Sequence, residues 1–282
     1  MKRGMMRGGL FITGLLLAAP AMAAPSRIMS VNLCADQLVL ALAPPGTITS
    51  VTYLARDCQV SVACETAAQM PINYGTAEEM IAASPDLIVA GRYTTRATVA
   101  VARKFGYAVE DLDVPNTIEA VRAQIREVAG AVGNAVGGEA MIAAMDRDFD
   151  ALPPPSPDRP HPVAAVYETN GFTVGTGSLI DTLLTRAGFD NLATRLGIDN
   201  YPVLPLEVLV WAEPDLLIIE GRRATRPSLG GAMLDHPVLA AGFPRAQQAE
   251  VPQKLWLCGG PAIVDALRIL TIARQQIEAK TP

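Results

Sequence analysis

One stretch of this chain occurs twice, and the repetition constrains the fold more than any other feature. The first copy runs from Glu78 through Met80-Ile81 and Ser84-Pro85-Asp86 into Leu87-Ile88-Val89-Ala90. The second runs from Glu207 through Leu209-Val210 and Glu213-Pro214-Asp215 into Leu216-Leu217-Ile218-Ile219. A shift of 129 positions lays Glu78 on Glu207 and Pro85-Asp86-Leu87 on Pro214-Asp215-Leu216. Each copy opens on an acidic residue that starts a short amphipathic run, stops at Pro-Asp, and continues as an apolar run. Proline cannot prolong a helix, and an apolar run of that length suits a strand covered on both faces. The unit is therefore helix, turn, buried strand. Two such units, half a chain apart, predict two similar lobes.

The flanking sequence alternates accordingly. Before the first unit, Arg27 to Asn32 reads as a strand, Ala35 to Ala43 as a helix ended by Pro44-Pro45-Gly46, and Ile48 to Tyr53 as a second strand. Ala55 to Tyr74 reads as a long polar loop, and Thr76 is placed to cap the helix of the first unit. After it come a helix at Arg96–Phe105, a strand at Ala108–Leu112, and a helix at Ile118–Val132 opened by Thr117. Gly133 to Gly138 reads as an interruption, after which Glu139 to Leu152 resumes as helix. Pro153-Pro154-Pro155-Ser156-Pro157 and Pro160-His161-Pro162 then form a stiff boundary. Beyond it, Val163–Tyr167 reads as a strand and Leu179–Ala187 as a helix, followed by the second unit, a strand near Ala249–Val251 and a last helix from Pro261. Strand–helix alternation of this kind predicts an α/β protein with mainly parallel sheets in two lobes, joined by a single long bridging helix. The expected divisions are 1–23, a signal peptide; 24–133, the first lobe; 134–157, bridging helix and Pro-rich linker; and 158–282, the second lobe. A helical bridge permits small rocking and resists wide hinge closure.

The first division rests on three parts in order: Lys2, Arg3 and Arg7, the apolar run Leu10–Ala19, and the small residues of Ala21-Met22-Ala23. That is a secretory signal, and its apolar run is too short to span a bilayer. No cysteine stands at the cleavage point, so export and release without a lipid anchor is expected. Removing those three basic residues from the 23 in the chain leaves 20 against 28 acidic ones. An acidic mature chain without basic runs argues against nucleic acid and anionic membrane surfaces as partners. Half the residues are hydrophobic and only 5% aromatic, so cores are expected to be aliphatic.

Four cysteines in an exported chain permit disulfides. Cys58 and Cys64 share one polar loop, and closing a loop so small is worth roughly 2 kcal/mol in the chain-entropy model. Cys34 and Cys258 lie near opposite ends of the mature chain, and other pairings remain open. His161 and His236 are the only histidines, one between prolines and one before Pro237, and neither has a metal-ligand neighbour at helical spacing. The sequence has no His-Glu-x-x-His, P-loop or Gly-x-Ser-x-Gly motif. Gly175-Thr176-Gly177-Ser178 is half a dinucleotide fingerprint at most and is read as a turn with an N-cap.

The candidates for ligand contact fall where apolar strands end, the edge at which open parallel sheets bind. In the first lobe they are Asn32, Cys34, Tyr53, Tyr74, Arg92 and Tyr93, with Asp36 nearby. In the second they are Asn170, Phe172, Tyr201, Arg222, Trp256 and Cys258, with Glu168 and Arg223 nearby. Aromatic rings with arginines on facing edges suit a bulky, partly anionic ligand, and binding needs no tuned nucleophile.

The signal sequence, the opening Ile28-Met29-Ser30-Val31-Asn32-Leu33-Cys34, the paired Glu-x6-Pro-Asp-Leu units and the single bridging helix together resemble the class III periplasmic binding proteins. The ending Trp256-Leu257-Cys258-Gly259-Gly260-Pro261 is similar to that of a cobalamin and iron-complex branch. The resemblance covers essentially the whole mature chain. It implies a periplasmic, monomeric substrate-binding component of an ABC importer, taking a ferric siderophore, haem or cobalamin and delivering it to the permease and its ATPase. It also implies that Glu78 and Glu207, one per lobe, dock on arginines of the permease, although Glu79 stands beside Glu78. Few histidines mean that no free-ion site and no cofactor is expected, since a chelated metal needs no protein ligand. On this reading Cys34 and Cys258 coordinate, pair or pack, with packing or pairing preferred. The rival expectation is an exported α/β enzyme, a hydrolase or chelatase-like protein using Asp36 or Glu168 as an acid–base group. Neither carboxylate has a paired base in the sequence, which argues against it.

Overall fold

A computed structural model describes residues 24–94, 96–220 and 229–280. The first part of the chain builds β1 (Ile28–Ser30), α1 (Leu33–Leu42), β2 (Ile48–Thr52), α2 (Cys64–Ala67), β3 (Ile72–Asn73), α3 (Ala77–Ala83), β4 (Leu87–Gly91), α4 (Arg96–Lys104), β5 (Val109–Leu112) and α5 (Ile118–Ala131). Its five strands form a parallel sheet in the order β3-β2-β1-β4-β5. Helix α6 (Ala135–Asp150) then leads to the second part: β6 (Val163–Tyr167), α7 (Leu179–Ala187), β7 (Asp190–Asn191), α8 (Leu192–Arg195), α9 (Leu206–Ala212), β8 (Leu216–Glu220), α10 (Leu229–Ala232), α11 (Pro237–Gly242), β9 (Gln248–Val251) and α12 (Ile263–Glu278). Here the described strands form a second parallel sheet, in the order β7-β6-β8-β9. Two parallel α/β sheets and one bridging helix are the predicted architecture.

The repeated unit is α3–β4 and α9–β8, with both elements of the second copy 129 positions after the first. Even the stops match: Ser84 and Glu213 end their helices in the left-handed region, at φ 43° and 44°. The Pro-Asp pair has a long-range task. Asp86 accepts hydrogen bonds from Ser26 N at 2.8 Å and Arg27 N at 2.9 Å, just before β1, and Asp215 accepts from Val163 N at 2.7 Å, where β6 starts. In each lobe the aspartate ends one central strand's approach and pins the start of its neighbour. Burial pushes the Asp86 carboxyl up, but the bonds from Ser26 and Arg27 outweigh it and hold the group below its ordinary range.

Two boundaries differ from the sequence reading. The bridging helix starts at Ala135, capped by Asn134, whose side chain accepts from Gly137 N at 3.0 Å. Gly137 and Gly138 lie inside the helix instead of interrupting it. A Cβ on Gly138 would come within 2.4 Å of the Ala129 Cβ, so glycine here allows α6 to pack closely on α5. Tertiary packing overrides the low helical propensity. The segment Ala55–Tyr74, read as loop, contains the end of a 3-10 turn that starts at Tyr53 (Tyr53–Arg56), then α2 and β3. It is held by the Cys58–Cys64 disulfide and by Arg56, whose guanidinium donates to the carbonyls of Ala67 and Met70.

The lobes share one core. A single cluster of buried side chains runs from Ile28, Leu38 and Val89 through Val121, Ile125 and Val128 of α5 to Met145 and Phe149 of α6, and on to Leu183, Leu184, Leu267 and Leu270 in the second lobe. Between lobes, Thr182 Oγ1 also donates to the Asn116 carbonyl at 2.8 Å.

Candidate functional site

Most of the first-lobe candidates surround the carboxyl ends of β1, β2, β3 and β4. A buried polar cluster fixes the loops there. Asn73, at the end of β3, donates through Nδ2 to the Ser30 carbonyl and Ser50 Oγ, both at 2.9 Å, and accepts from Gly75 N at 3.1 Å. Asp36, fully buried in α1, accepts from Thr52 N at 3.1 Å and from the Thr52 hydroxyl. Burial drives the Asp36 carboxyl up to about 6, with the bonds from Ser30 and Thr52 pulling the other way. The sequence reading places Asp36 among the strand-end residues of the first lobe and as an acid–base rival; in the structure it faces Thr52 and positions the start of the Tyr53 turn. Asn73 was missed altogether. A polar residue at the end of an apolar run, two before a glycine, was the available signal.

On this foundation stand Tyr53 and Tyr74, 48% and 64% exposed, whose rings stack at 5.0 Å between centroids with an interplanar angle of 28°. Such a pair is a flat, partly wetted apolar surface with two hydroxyls. Tyr93, after β4, is 66% exposed. Arg92 is exposed and pairs with Asp113, at the end of β5, at 2.5 Å. Asn32 is the N-cap of α1: its Oδ1 accepts from Cys34 N and Ala35 N, and its Nδ2 donates to Thr94 Oγ1 at 3.0 Å. Its side chain thus ties the loop carrying Tyr93 to α1.

In the second lobe, Asn170 follows β6 in a left-handed conformation (φ 61°) within the turn Thr169–Gly171. Phe172 and Tyr201 are both exposed, and Phe172 bridges to Val203 in antiparallel fashion. Gly175 is more than a turn residue: a Cβ there would sit 2.0 Å from the Ile198 carbonyl oxygen, so only glycine permits this crossing. Ser178 caps α7, accepting from Asp181 N. Arg222 and Arg223 lie outside the described residues.

The two cysteines take one of the outcomes preferred for them, pairing, and one predicted ligand contact, Trp256, needs correction. Cys34 and Cys258 form a disulfide with Cα atoms 5.1 Å apart, so neither offers a thiolate to a ligand. The bond joins the first turn of α1 to the segment before α12, and so joins the two lobes. Trp256 is 2% exposed and belongs to the shared core. Its place beside Cys258 suggested the cleft, but the chain folds that ring inward. The histidines have structural surroundings: His161 Nδ1 lies 3.4 Å from Asp190, and His236 caps α11, its Nδ1 accepting from Val238 N. Among the described residues no three His, Cys, Asp or Glu side chains converge as a metal site.

Glu78 and Glu207 both lie in the first turn of their helices, exposed, at equivalent points of the repeated unit. Glu79 is committed elsewhere. It closes a capping box with Thr76 and accepts from Tyr74 N and Thr76 N, at 2.9 and 3.0 Å. Only Glu78 of the adjacent pair is left to face outward.

A family model described as "periplasmic binding protein" matches residues 28–246. The chain belongs to the periplasmic binding proteins. Among solved structures, this periplasmic binding protein is similar to the periplasmic heme-binding protein RhuT from Roseiflexus sp. RS-1 (24% identity, TM-score 0.73, covering 89% of this chain and 98% of that one). It is also similar to the periplasmic heme-binding protein HutB of Vibrio cholerae (19%, TM-score 0.70, 87% and 98%). A third is the periplasmic vitamin B12-binding protein BtuF of Vibrio cholerae (15%, TM-score 0.65, 90% and 98%). At these identities the likeness speaks to the fold. No curated protein sequence matches.

Proposed function

We propose that this periplasmic binding protein captures a bulky, partly anionic metal chelate between its lobes and delivers it to the permease of an ABC importer. The candidate ligands are a ferric siderophore, haem or cobalamin. The observation that carries the reading is the set of exposed rings at the strand ends of both lobes, above all the Tyr53–Tyr74 stack. A stacked aromatic surface left in water beside a rigid polar foundation suits the flat face of a macrocycle or aryl chelate. The solved relatives named for haem and vitamin B12 support the same class. The chain acts as a monomer by binding, without catalysis, after export directed by residues 1–23. The enzyme reading loses one of its two candidates, because Asp36 is enclosed and hydrogen-bonded. Lobe closure is small, since a disulfide, a helix and a shared core all cross the junction.

Delivery uses Glu78 and Glu207 as one acidic contact per lobe, with Glu79 reserved for capping. The decisive experiment is titration of the mature protein with hemin, cyanocobalamin and a ferric hydroxamate, followed by absorbance and calorimetry. One class is expected to bind at micromolar concentration or below. Replacing Tyr53 or Tyr74 by alanine is expected to weaken it about tenfold, equivalent to ~1.4 kcal/mol. Binding of none of the three sinks the chelate reading while leaving the fold intact. Charge reversal at Glu78 and Glu207 tests delivery: transport should fall with ligand affinity unchanged.

A further inference from the structure

Tyr74 carries an exposed ring on a backbone that is held before it, after it and at its own N–H. Before it, the Asn73 side chain is fixed to Ser30 and Ser50. After it, Gly75 donates its N–H to Asn73 Oδ1, and its carbonyl accepts from the Thr98 hydroxyl of α4 at 2.5 Å. The Tyr74 N–H donates to Glu79 Oε2 at 2.9 Å, a bond that reaches back five positions and past the helix cap.

Capping α3 does not require that bond. The capping box is complete with Thr76 N on Glu79 Oε2 at 3.0 Å and Glu79 N on Thr76 Oγ1 at 3.3 Å. The repeated unit supplies an internal control. Shifted by 129 positions, Thr76 and Glu79 become Pro205 and Val208. Helix α9 starts there without a side-chain cap and reaches the same length of seven residues. The position of Tyr74 becomes Val203, which is paired with Phe172 in an antiparallel bridge. Tyr74 lies past the end of β3, and among the described residues it has no such bridge. The same point of the two lobes is thus fixed by backbone pairing in one and by a carboxylate in the other. Burial pushes the Glu79 carboxyl up, but the bonds from Thr76 and Tyr74 outweigh it and hold the group below its ordinary range.

We propose that Glu79 is a positioning residue for the chelate, holding Tyr74 against Tyr53 so that the ring pair stands formed before the ligand arrives. A ring already in its bound arrangement loses less freedom on binding, and supporting bonds behind a contact residue supply that arrangement. The inference rests on the chelate reading proposed above and adds to it a residue that acts without touching the ligand.

The test titrates the mature protein and its variants with hemin, cyanocobalamin and a ferric hydroxamate. It also records the tyrosine band of the near-ultraviolet circular dichroism before any of them is added. Glu79→Ala should weaken the probe that binds by about three- to tenfold, the effect of having to order one large side chain on binding. Glu79→Asp keeps the charge but is too short to reach Tyr74 N, and should weaken it as much. Glu79→Gln keeps the reach and should stay within about twofold of the wild type. Should Glu79→Ala not fold, the Asp and Gln variants make the same comparison. Thr76→Ala removes the cap and leaves the Tyr74 bond, so stability should fall with affinity within about twofold. In a Tyr74→Ala background, Glu79→Ala should cost no further affinity and leave the band as it is. Equal weakening by Thr76→Ala and Glu79→Ala, additive losses in the double variant, or a band that Glu79→Ala leaves unchanged would overturn the inference. If no probe binds, the chelate reading falls, and the band alone decides the ring-pair positioning: a change on Glu79→Ala that Tyr74→Ala abolishes upholds it, and no change refutes it.

Discussion

The disulfide between Cys34 and Cys258 closes most of the chain into one loop, with a sequence separation of 224. In the chain-entropy model, cutting a loop of that length frees about 5 kcal/mol of unfolded-state entropy at 25 °C. For a domain of this size that corresponds to a fall in Tm of about 10 °C or more. The perturbation is Cys34→Ser combined with Cys258→Ala, alanine being chosen at the buried position so that no hydroxyl is left without a partner. The internal comparison is Cys58→Ser/Cys64→Ser, whose separation of 6 predicts a loss of about 2 kcal/mol. Guanidinium unfolding is followed by the fluorescence of buried Trp256, two residues from Cys258, and by far-ultraviolet circular dichroism. The long-loop variant should lose more than twice what the short-loop variant loses, in a single transition, because the shared core still couples the lobes. Equal losses in the two variants, or less than about 1 kcal/mol from the long loop, would refute the loop-entropy reasoning. Two separate transitions would show that the covalent link, and not the core, makes the lobes one cooperative unit.

Asp36 predicts a pH dependence. Its carboxyl titrates near 6 in the folded protein against 3.8 unfolded, so the native state holds the extra proton between those values. Its contribution then falls by about 3 kcal/mol as pH rises from 4 to above 6 and is flat beyond; urea melts across that range should show the slope in the wild type and lose it in Asp36→Asn. Thr76→Ala removes the α3 cap and its reciprocal bond with Glu79, for a loss of about 1 kcal/mol in the same assay. Gly138→Ala forces α5 and α6 apart at Ala129, with an expected cost of about 1–3 kcal/mol measured by thermal unfolding.

The repeated unit was the most legible part of the sequence because its signals are local: an acidic start, a Pro-Asp stop, an apolar run. They fixed α3–β4 and α9–β8 and, through them, the number of lobes. What the aspartates bond to was not legible, since Ser26, Arg27 and Val163 reach them only in the folded sheet. The short β3 and α2 escaped notice because two- and four-residue elements have no period of their own; a disulfide and Arg56 hold them. Tyr53, Tyr74 and Tyr93 were placed at strand ends and are exposed there. Trp256 was placed by its neighbours in sequence, which do not say which way a ring turns. The choice between Glu78 and Glu79 needed the capping geometry.

The shared core has a consequence for how such a protein changes over time. The residues joining the lobes, Val121, Leu183, Trp256 and Leu267 among them, are buried and mutually dependent. Tyr53, Tyr74, Tyr93, Phe172 and Tyr201 stand outside that cluster, on the surface. A substitution among the rings leaves the join untouched and stability nearly so, whereas a half-chain exchanged with a relative must bring a matching face for the core. On the function proposed above, ligand preference can then change by single substitutions among the rings, whereas the two halves have to be exchanged together.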